Sequence, residues 1–410
     1  MYRAYRYRMD PTDAHRETLD RHRDIYRQAY NHFLYRLNQH DETPDMRKLR
    51  DELPALKRKF PVFKTPHSRA LQKVVERLYD NLDSLSELKA KGYDVGSLNW
   101  KSPREYRSFT YTQSGFKLDK KGGWTVLHLS KIGDIPLVYH RDIPDDATLK
   151  EVHIKQGPTG EWFASVVVED GKETPPKPEN PERCVGIDVG ILNYTHDTDG
   201  LAVGSLDVAD DRDRLERAQR KLSRKEHGSA NYRKQQQVVA RRHARIKRRR
   251  RDFLHKLSAY YAETYDLVAV EDLDAKELME LPSNSRNRAG AAWATFLRLL
   301  EWKCRREGTY FVAVNPAGTT KECSQCGVST DKPIWVREHS CPACGYEDDR
   351  DANAARNILS RGLSQVGVDH PEPTPAETAL PTPTRSVGAK GVMEPGSPAL
   401  KERAASAASE

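Results

Sequence analysis

The sequence predicts two folded parts, an all-β part that carries inserted helices and a mixed α/β part. Short runs with period-two alternation fill residues 106–170, which is typical of antiparallel strands in a small barrel or sandwich. After a proline-rich stretch, apolar strands and helical patterns follow in the order βββαβαβ, which favours a mixed α/β sheet. Two Cys-x-x-Cys pairs near the end predict a metal-bound insertion in this second part.

The first part begins with a short strand at residues 1–10, which Pro11 ends, and Thr12 can cap a long helix. Apolar residues recur at helical spacing in two segments of 11–99, from Leu19 to Leu37 and from Leu71 to Leu85. We therefore expect a helical region, 11–99, inserted into an antiparallel β-barrel formed by residues 1–10 and 100–170. The barrel strands are predicted at RSFTYT, WTVLHLS, IPLVYH, EVHIKQ and EWFASVVVE.

The second part follows a proline-rich linker at 171–182, which cannot continue a central strand. We assign 183–319 and 346–361 to the α/β domain and 320–345 to its insertion. The long basic helical region of this domain is broken near His227. Residues 362–410 contain no aromatic residue and seven prolines between Pro371 and Pro398, so we predict a disordered tail.

The composition argues against a membrane protein and against a disulfide-stabilised protein. Hydrophobic residues make up 37% of the 410 residues, and no run of 18 apolar residues or apolar leader occurs. Four of the six cysteines lie in the paired motifs, which favours a metal site in a reducing compartment over a disulfide framework. The sequence thus predicts a soluble, cytoplasmic protein with no membrane partner.

Positive charge is concentrated in one stretch. Between Arg214 and Arg251 there are 16 Lys and Arg against Glu216 and Glu226, a charge of +14, whereas the whole chain carries +8. The rest of the chain is therefore at about −6 by subtraction. An ordinary charged surface helix usually mixes its signs, so a polyanion, nucleic acid, is the favoured partner.

The cysteine spacing predicts a structural zinc site. Four cysteines follow the pattern C-x2-C-x14-C-x2-C, and a glycine, Gly327 or Gly345, comes directly after each pair. Such a glycine permits the tight turn that brings both thiolates to one tetrahedral ion. Four thiolates leave no open position, so this zinc does no chemistry. The zinc ligands are Cys323, Cys326, Cys341 and Cys344. Cys184 and Cys304 are expected to be packed or inert thiols.

Three carboxylates lie at the ends of buried elements. Asp188 interrupts the apolar strand VGIDVG, Glu271 ends LVAVED, and Asp351 begins the helix RDANAARNIL. Any one of them can be solvated or act as a helix cap, as we expect for Asp349. A shared cation explains all three, because an unpaired buried carboxylate costs several kcal/mol. Two magnesium ions held by carboxylates can activate water and stabilise the leaving oxygen of a phosphodiester.

These motifs resemble the TnpB (OrfB) family of insertion-sequence proteins, which are relatives of the type V CRISPR effector nucleases. The resemblance rests on GIDVG, VAVEDL and the cysteine pairs followed by DRDANAARNIL, and extends over residues 1–361. It implies that Asp188, Glu271 and Asp351 are the acids of a RuvC-type site in an RNase H-like nuclease domain with an inserted zinc ribbon. It further implies that the barrel is a wedge-like domain and 11–99 a recognition region.

The function that the resemblance implies is RNA-guided DNA cleavage. A guide RNA from the transposon end would pair with one strand of a double-stranded DNA target, with one protein chain per RNA. The expected phosphate contacts are Arg220, Lys221, Arg224 and Lys225. Two alternatives stay open, a non-catalytic RNA-guided or zinc-ribbon regulator of transposition and a structure-selective nuclease that uses no RNA.

Overall fold

The computed structural model describes residues 1–40, 43–273, 292–333 and 336–367. The chain divides into two compact units, Met1–Glu173 and Thr174–Glu410. The division lies inside the segment 171–182 that the sequence analysis assigns to a linker. Within the described ranges, every helix is too short or too polar to span a bilayer.

Unit 1 combines a β-sheet with helices that follow its first strand. Its elements are β1 Tyr2–Met9, α1 Asp13–Leu37, α2 Met46–Asp51, α3 Leu53–Lys59, α4 Ser68–Ala90, β2 Ser108–Thr112, β3 Phe116–Lys121, β4 Trp124–Leu129, β5 Gly133–Val138, β6 Thr148–Gln156 and β7 Trp162–Glu169, with 3-10 turns at Pro61–Lys64 and Gln113–Gly115. All strand pairs are antiparallel, in the order β2-β6-β7-β1-β5-β4-β3. Among the described residues no ladder joins β2 to β3, so closure into a barrel stays a prediction.

The predicted apolar patterns form the core of unit 1. Thr12 caps α1 by accepting a hydrogen bond from the amide of His15. Leu19, Tyr26 and Phe33 of α1 are buried in the same core as Val152 and Val166 of the sheet. Helices α2 and α3, which are short, and strand β3, whose residues after Phe116 are largely polar, were not predicted from the sequence.

Unit 2 is built on a mixed sheet. Its elements are β8 Cys184–Val189, β9 Asn193–Asp197, β10 Ala202–Gly204, α5 Ala209–Ser223, α6 Ala230–Thr264, β11 Leu267–Glu271, α7 Trp293–Glu307, β12 Tyr310–Val314, β13 Glu338–Ser340, β14 Glu347–Asp349 and α8 Arg350–Val366. The main sheet has the order β10-β9-β8-β11-β12. Strands β8, β11 and β12 are parallel, and β9 and β10 run antiparallel to their neighbours. The predicted succession of strands and helices is confirmed in these ranges.

Helices cover both faces of the main sheet. Alternate residues of a strand point to opposite faces. Val268 and Val270 of β11 pack with α6 and α7, while Leu267 and Ala269 pack with Ile358 and Leu363 of α8. Strand β11 is therefore buried on both sides, as its continuous apolar run LVAVE requires.

Gly186 allows α8 to approach the backbone of β8. A Cβ atom at this position would lie 2.1 Å from the carbonyl oxygen of Ala355 and 2.7 Å from the amide nitrogen of Leu359. Both contacts are far below van der Waals distance and involve backbone atoms, which cannot turn away. Any larger residue at 186 would push α8 off the sheet.

One boundary in the sequence analysis is wrong. The tail was expected to begin at residue 362, but α8 continues to Val366, and Leu363 is buried against the sheet. The aromatic residues end at Tyr346, before α8 begins, so their absence does not mark the end of this helix. Residues 368–410, the remainder of the predicted tail, lie outside the described residues.

We predict that Gly186→Ala destabilises unit 2. The added methyl group overlaps the α8 backbone, and overpacking of this kind costs about 1–3 kcal/mol. Gly96→Ala is the matched control, because a Cβ there would have no atom within 4 Å. Urea unfolding of both variants measures the difference. Equal free energies of unfolding for the two variants would contradict the close packing of α8 on β8.

Candidate active site: a carboxylate cluster beside a four-cysteine ribbon

The three predicted acids come from three elements and share one face of the main sheet. Glu271 follows Ala269 by two residues, and Asp188 follows Gly186 by two, so both side chains lie on the face that α8 covers. Asp351 lies in the first turn of α8. Asp188 and Glu271 are each 8% exposed and Asp351 is 6% exposed. The structure therefore brings the three predicted residues to one buried region.

The pKa of Asp188 reflects the charges of the other two acids nearby. Burial raises the pKa of Asp188 well above its usual value, and the charges of Asp351 and Glu271 raise it further. Arg337 and Arg350 oppose this effect only in part. A cation among these carboxylates would relieve both the burial cost and the repulsion.

Glu271 is held by a hydroxyl group. Burial raises its pKa, while a hydrogen bond from Thr319 and the charge of Arg361 act in the opposite direction. The Thr319 Oγ1 atom donates to Glu271 Oε1. Because Thr319 is 1% exposed, this bond fixes the direction of the carboxylate. Thr319 could not be predicted from the sequence, since nothing in the segment NPAGTT indicates a contact to a strand 48 residues earlier.

Asp351 is positioned by its own helix and by the ribbon. Asp349 caps α8, its Oδ1 accepting hydrogen bonds from the amides of Asp351 at 2.8 Å and Ala352 at 3.3 Å, which confirms its predicted role. Arg337, from the segment between the two cysteine pairs, donates to Asp351 Oδ2. Arg337 was not predicted from the sequence, because a single arginine after the run PIWV forms part of no recognisable motif.

The carboxylates are near one another without forming a closed ligand set. Among the described residues, four cysteines have their ligand atoms all within 4.8 Å of one another, and the three acids do not. Arg337 is the direct cationic partner of Asp351 in this arrangement. The acids thus have the charge and burial of a cation site. The cysteines also have the short distances between ligand atoms that a metal site requires.

The four cysteines have the geometry of a zinc site. The Sγ atoms of Cys323 and Cys344 are 3.7 Å apart, and those of Cys326 and Cys341 are 3.5 Å apart. The edge of a tetrahedron with Zn–S bonds of about 2.3 Å is about 3.8 Å. Hydrogen bonds from backbone amides, that of Cys344 first, lower the pKa of the Cys341 thiol to about 6, whereas burial and the neighbouring thiols raise the pKa of Cys344 to about 12.

Each knuckle closes through its glycine. The amide of Gly327 donates to the carbonyl of Cys323 at 2.8 Å, and that of Gly345 to the carbonyl of Cys341 at 2.9 Å. The φ angles of these glycines, 74° and 75°, lie in the left-handed region that other residues rarely adopt. The predicted role of both glycines is confirmed. We call residues 320–345 the ribbon; strand β13 lies within it, and β14 follows it and pairs with β13.

A row of polar side chains on α8 binds the ribbon and the segment before it. Asn353 donates to the Glu322 carbonyl at 2.7 Å and accepts from the Ser324 amide at 2.9 Å. One turn on, Asn357 donates to the carbonyls of Thr319 and Glu322. After another turn, Arg361 pairs with the Glu322 carboxylate at 2.6 Å. The helix that carries Asp351 therefore also holds the first cysteine knuckle and Thr319.

The predicted nucleic-acid contacts lie far along the chain from these acids, where α5 and α6 meet. Arg220 and Lys221 are in the last turn of α5, and Arg224 and Lys225 are in the connection that follows. All four are exposed and have no ion-pair partner among the described residues. Helices α5 and α6 are joined by Asp211, whose two carboxylate oxygens accept from Arg245 at 2.8 Å and Arg249 at 2.7 Å.

The fold and the site define a protein of two units, of which the α/β unit holds a buried carboxylate cluster beside a four-cysteine ribbon. Family models match three segments of the chain. A model of the OrfB and IS605 group described as a probable transposase matches 165–281, and one described as "Cas12f1-like, TNB domain" matches 293–358. A helix-turn-helix domain model of the OrfB and IS605 group matches 1–41. The resemblance to the TnpB (OrfB) family indicated by the motifs is confirmed.

Curated relatives support the same family. The chain is 38% identical over 269 residues to a putative RNA-guided DNA endonuclease of Streptomyces pristinaespiralis, covering 65% of each chain. It is 28% identical over 272 residues to the putative RNA-guided DNA endonuclease InsQ of Escherichia coli K12, covering 62% of this chain and 66% of the relative. The matched region thus spans just under two thirds of the length of these relatives.

Comparison of folds extends the match over most of the chain. The Cas12f1 chain in a Cas12f1–sgRNA–target DNA complex superposes with a TM-score of 0.55, covering 84% of this chain and 81% of the other. Because the sequence identity in that match is only 14%, the match shows a shared fold and nothing more specific. The helix-turn-helix description does not fit residues 1–40, which form strand β1 and the single helix α1.

We predict one zinc ion per chain, bound by the four cysteines. Cys341→Ser should lose the zinc and destabilise the ribbon, because closed four-thiolate sites contribute directly to folding. Elemental analysis and thermal unfolding of purified protein measure both effects. Cys304→Ser is the control, since Cys304 is buried in α7 away from the cluster and should leave the zinc content unchanged. Folded wild-type protein without zinc would contradict the assignment.

Proposed function

We propose that this chain is a transposon-encoded, RNA-guided DNA endonuclease that hydrolyses DNA phosphodiesters at Asp188, Glu271 and Asp351. The observation that carries the proposal is the convergence of these acids on one buried face of the sheet, where burial, and then the charges of Asp351 and Glu271, raise the pKa of Asp188. A protein that only binds nucleic acid has no need for three buried carboxylates. The two curated relatives described above bear the name of this activity.

The proposed architecture of unit 2 is an RNase H-like, RuvC-type nuclease domain. The strand order β10-β9-β8-β11-β12, with the first three strands antiparallel and the last three parallel, supports it. Acids on the central strands β8 and β11 and on the helix that covers them support it as well. The ribbon enters between β12 and α8, so it returns the chain directly to Asp351.

The three carboxylates fit magnesium, which prefers oxygen ligands and balances negative charge that is buried. Asp188, Glu271 and Asp351 would hold it. When bound, magnesium supplies Lewis-acid activation of water and neutralises the charge that develops on phosphate oxygens. The fit rests on the charge, burial and donor type of the acids.

The residues around the acids position them. Thr319 directs the Glu271 carboxylate, and the Asp349 cap orders the first turn of α8, where Asp351 lies. Arg337 places a guanidinium group beside Asp351. Guanidinium groups bind phosphate oxygens in two parallel hydrogen bonds, so Arg337 can neutralise substrate charge once it leaves Asp351. The ribbon thereby contributes to the site through a side chain and not only through its zinc.

The basic stretch supplies the nucleic-acid contacts in this proposal. Arg220, Lys221, Arg224 and Lys225 are exposed side chains without acidic partners among the described residues, so phosphates are their natural counterions. The partners would be a guide RNA from the transposon end and a double-stranded DNA target, with one protein chain per RNA. The barrel and the helices of unit 1 would hold guide and target.

We predict that replacing Asp188, Glu271 or Asp351 by alanine abolishes cleavage and leaves RNA and DNA binding largely intact. The acids would hold the magnesium that carries transition-state charge, whereas binding depends on the basic surface. The assay is magnesium-dependent cutting of a DNA target that matches the RNA purified with the protein. Asp188→Ala should fold normally, because it removes a repelled buried charge.

Asp349→Ala is the matched control for the catalytic test. It removes a carboxylate two residues from Asp351 and an N-cap worth about 0.5–2 kcal/mol, so cleavage should remain measurable. Full cutting by Asp188→Ala would contradict the nuclease assignment. If Asp349→Ala loses cutting and Asp351→Ala retains it, Asp349 and not Asp351 is the third metal ligand.

A second prediction concerns the salt dependence of RNA binding. Changing Arg220, Lys221, Arg224 and Lys225 to alanine should flatten the slope of log K against log salt by about 3 units, at about 0.7–0.9 per phosphate contact. The control exchanges Lys and Arg at the same four positions and keeps every charge, so its slope should match the wild type. An unchanged slope in the alanine variant would locate the RNA-binding surface elsewhere.

A further inference from the structure

Unit 2 contains a cavity of about 740 Å³ between α5, α6 and the start of α7. Leu254, one of its lining residues, belongs to the core on the α6 and α7 face of the sheet, whereas the three acids lie on the α8 face. The cavity is therefore separate from the candidate active site. Its size is within the range of about 300–1,000 Å³ that is usual for sites of small ligands.

The cavity combines apolar walls with a cationic rim. Ile246 and Leu254 of α6 and Leu299 of α7 provide apolar surface. Four cationic side chains line it as well, against a single acid, Glu216, among its described lining residues: Arg212, Lys247, Arg250 and Arg251. A ligand that matches this lining has one flat apolar part and one anionic part.

Arg250 and Lys247 are the cations most in need of an anion. Neither has a carboxylate partner among the described residues. Burial and the nearby charge of Arg212 both lower the pKa of Arg250, so the guanidinium group is held where its charge is unfavourable. A partly buried cation of this kind is stabilised by an anion that enters the cavity.

We propose that this cavity binds one unstacked nucleotide of a bound nucleic-acid strand, with its phosphate at Arg250 and Lys247 and its base against Ile246, Leu254 and Leu299. The inference rests on the proposed function, since it assumes that a strand is bound. An unstacked base offers a flat face that packs on apolar side chains, and the phosphate supplies the missing anion. The volume of about 740 Å³ is sufficient for a nucleoside and its phosphate.

The position of the cavity favours a polymer over a free nucleotide. The helices that line it, α5 and α6, are the same two that carry the exposed cations Arg220, Lys221, Arg224 and Lys225 at their junction. Phosphates of one strand bound along these helices would bring its nucleotides past the rim of the cavity. The strand can be the RNA or a single-stranded part of the target DNA, because both have a base and a phosphate.

Photo-crosslinking of the full chain tests the proposal. The protein is bound to its co-purified RNA sequence transcribed with 4-thiouridine, and in a second arm to target DNA that carries 4-thiothymidine. Mass spectrometry then maps the crosslinked residues. In one arm, we expect the nucleic acid to crosslink to a residue in the range from His243 to Leu254. That arm identifies the strand. If the protein binds both strands and neither arm gives a crosslink in this range, the proposal is overturned.

Three variants make the result specific. Arg250→Gln should lower the yield of this crosslink about tenfold, the loss expected from one charge-assisted hydrogen bond. Leu299→Trp keeps every charge but fills the cavity, and should remove the crosslink without changing the salt slope of binding. Arg241→Gln removes one charge from α6 outside the cavity and should retain the crosslink. Thermal unfolding confirms that each variant is folded.

The outcomes separate this inference from the proposed function. A crosslink that persists in both Arg250→Gln and Leu299→Trp overturns the cavity as its source while RNA-guided cleavage stands. Wild-type protein that binds neither RNA nor DNA overturns both. Loss of the crosslink in the two cavity variants, with retention in Arg241→Gln, supports the inference whether or not the DNA is cut.

Discussion

The arrangement of unit 2 depends on the close packing of α8 against β8 at Gly186. Without a side chain there, the helix backbone lies directly on the strand, and its first turn brings Asp351 to the region of Asp188 and Glu271. The same helix binds the first cysteine knuckle through Asn353 and Asn357. One packing contact therefore sets the position of the acids relative to each other and of the ribbon relative to the acids.

The cysteine pairs run straight into a cluster of carboxylates because the two sites share this helix. The ribbon returns the chain to α8 through β14, whose last residue, Asp349, caps the helix. It also brings Arg337 to Asp351. Three like charges in a buried region oppose folding, and the ribbon contributes a cation that offsets part of their repulsion. Loss of a metal bound by the four cysteines should therefore disturb the acids as well as the ribbon.

The sequence predicted the features that local patterns encode. Period-two runs marked most strands, the spacing of cysteines marked the ribbon, and charged residues at the ends of apolar strands marked Asp188 and Glu271. The contacts of Thr319, Arg337 and Asn357 could not be predicted, because they join residues distant in the chain and depend on how α8 crosses the sheet. The end of α8 was placed five residues too early, because the composition of the sequence changes before the helix ends. The cavity between α5, α6 and α7 likewise exists only in three dimensions.

Anomalous diffraction from crystals grown with manganese in place of magnesium tests the central claim most directly. Data on both sides of the manganese and zinc absorption edges distinguish the two metals in one crystal, and the zinc peak at the four cysteines serves as an internal reference. The account predicts manganese bound by oxygen atoms of Asp188, Glu271 and Asp351, with Arg337 displaced from Asp351. Fully occupied manganese sites that exclude these three carboxylates, in a crystal whose zinc peak is present, would contradict it.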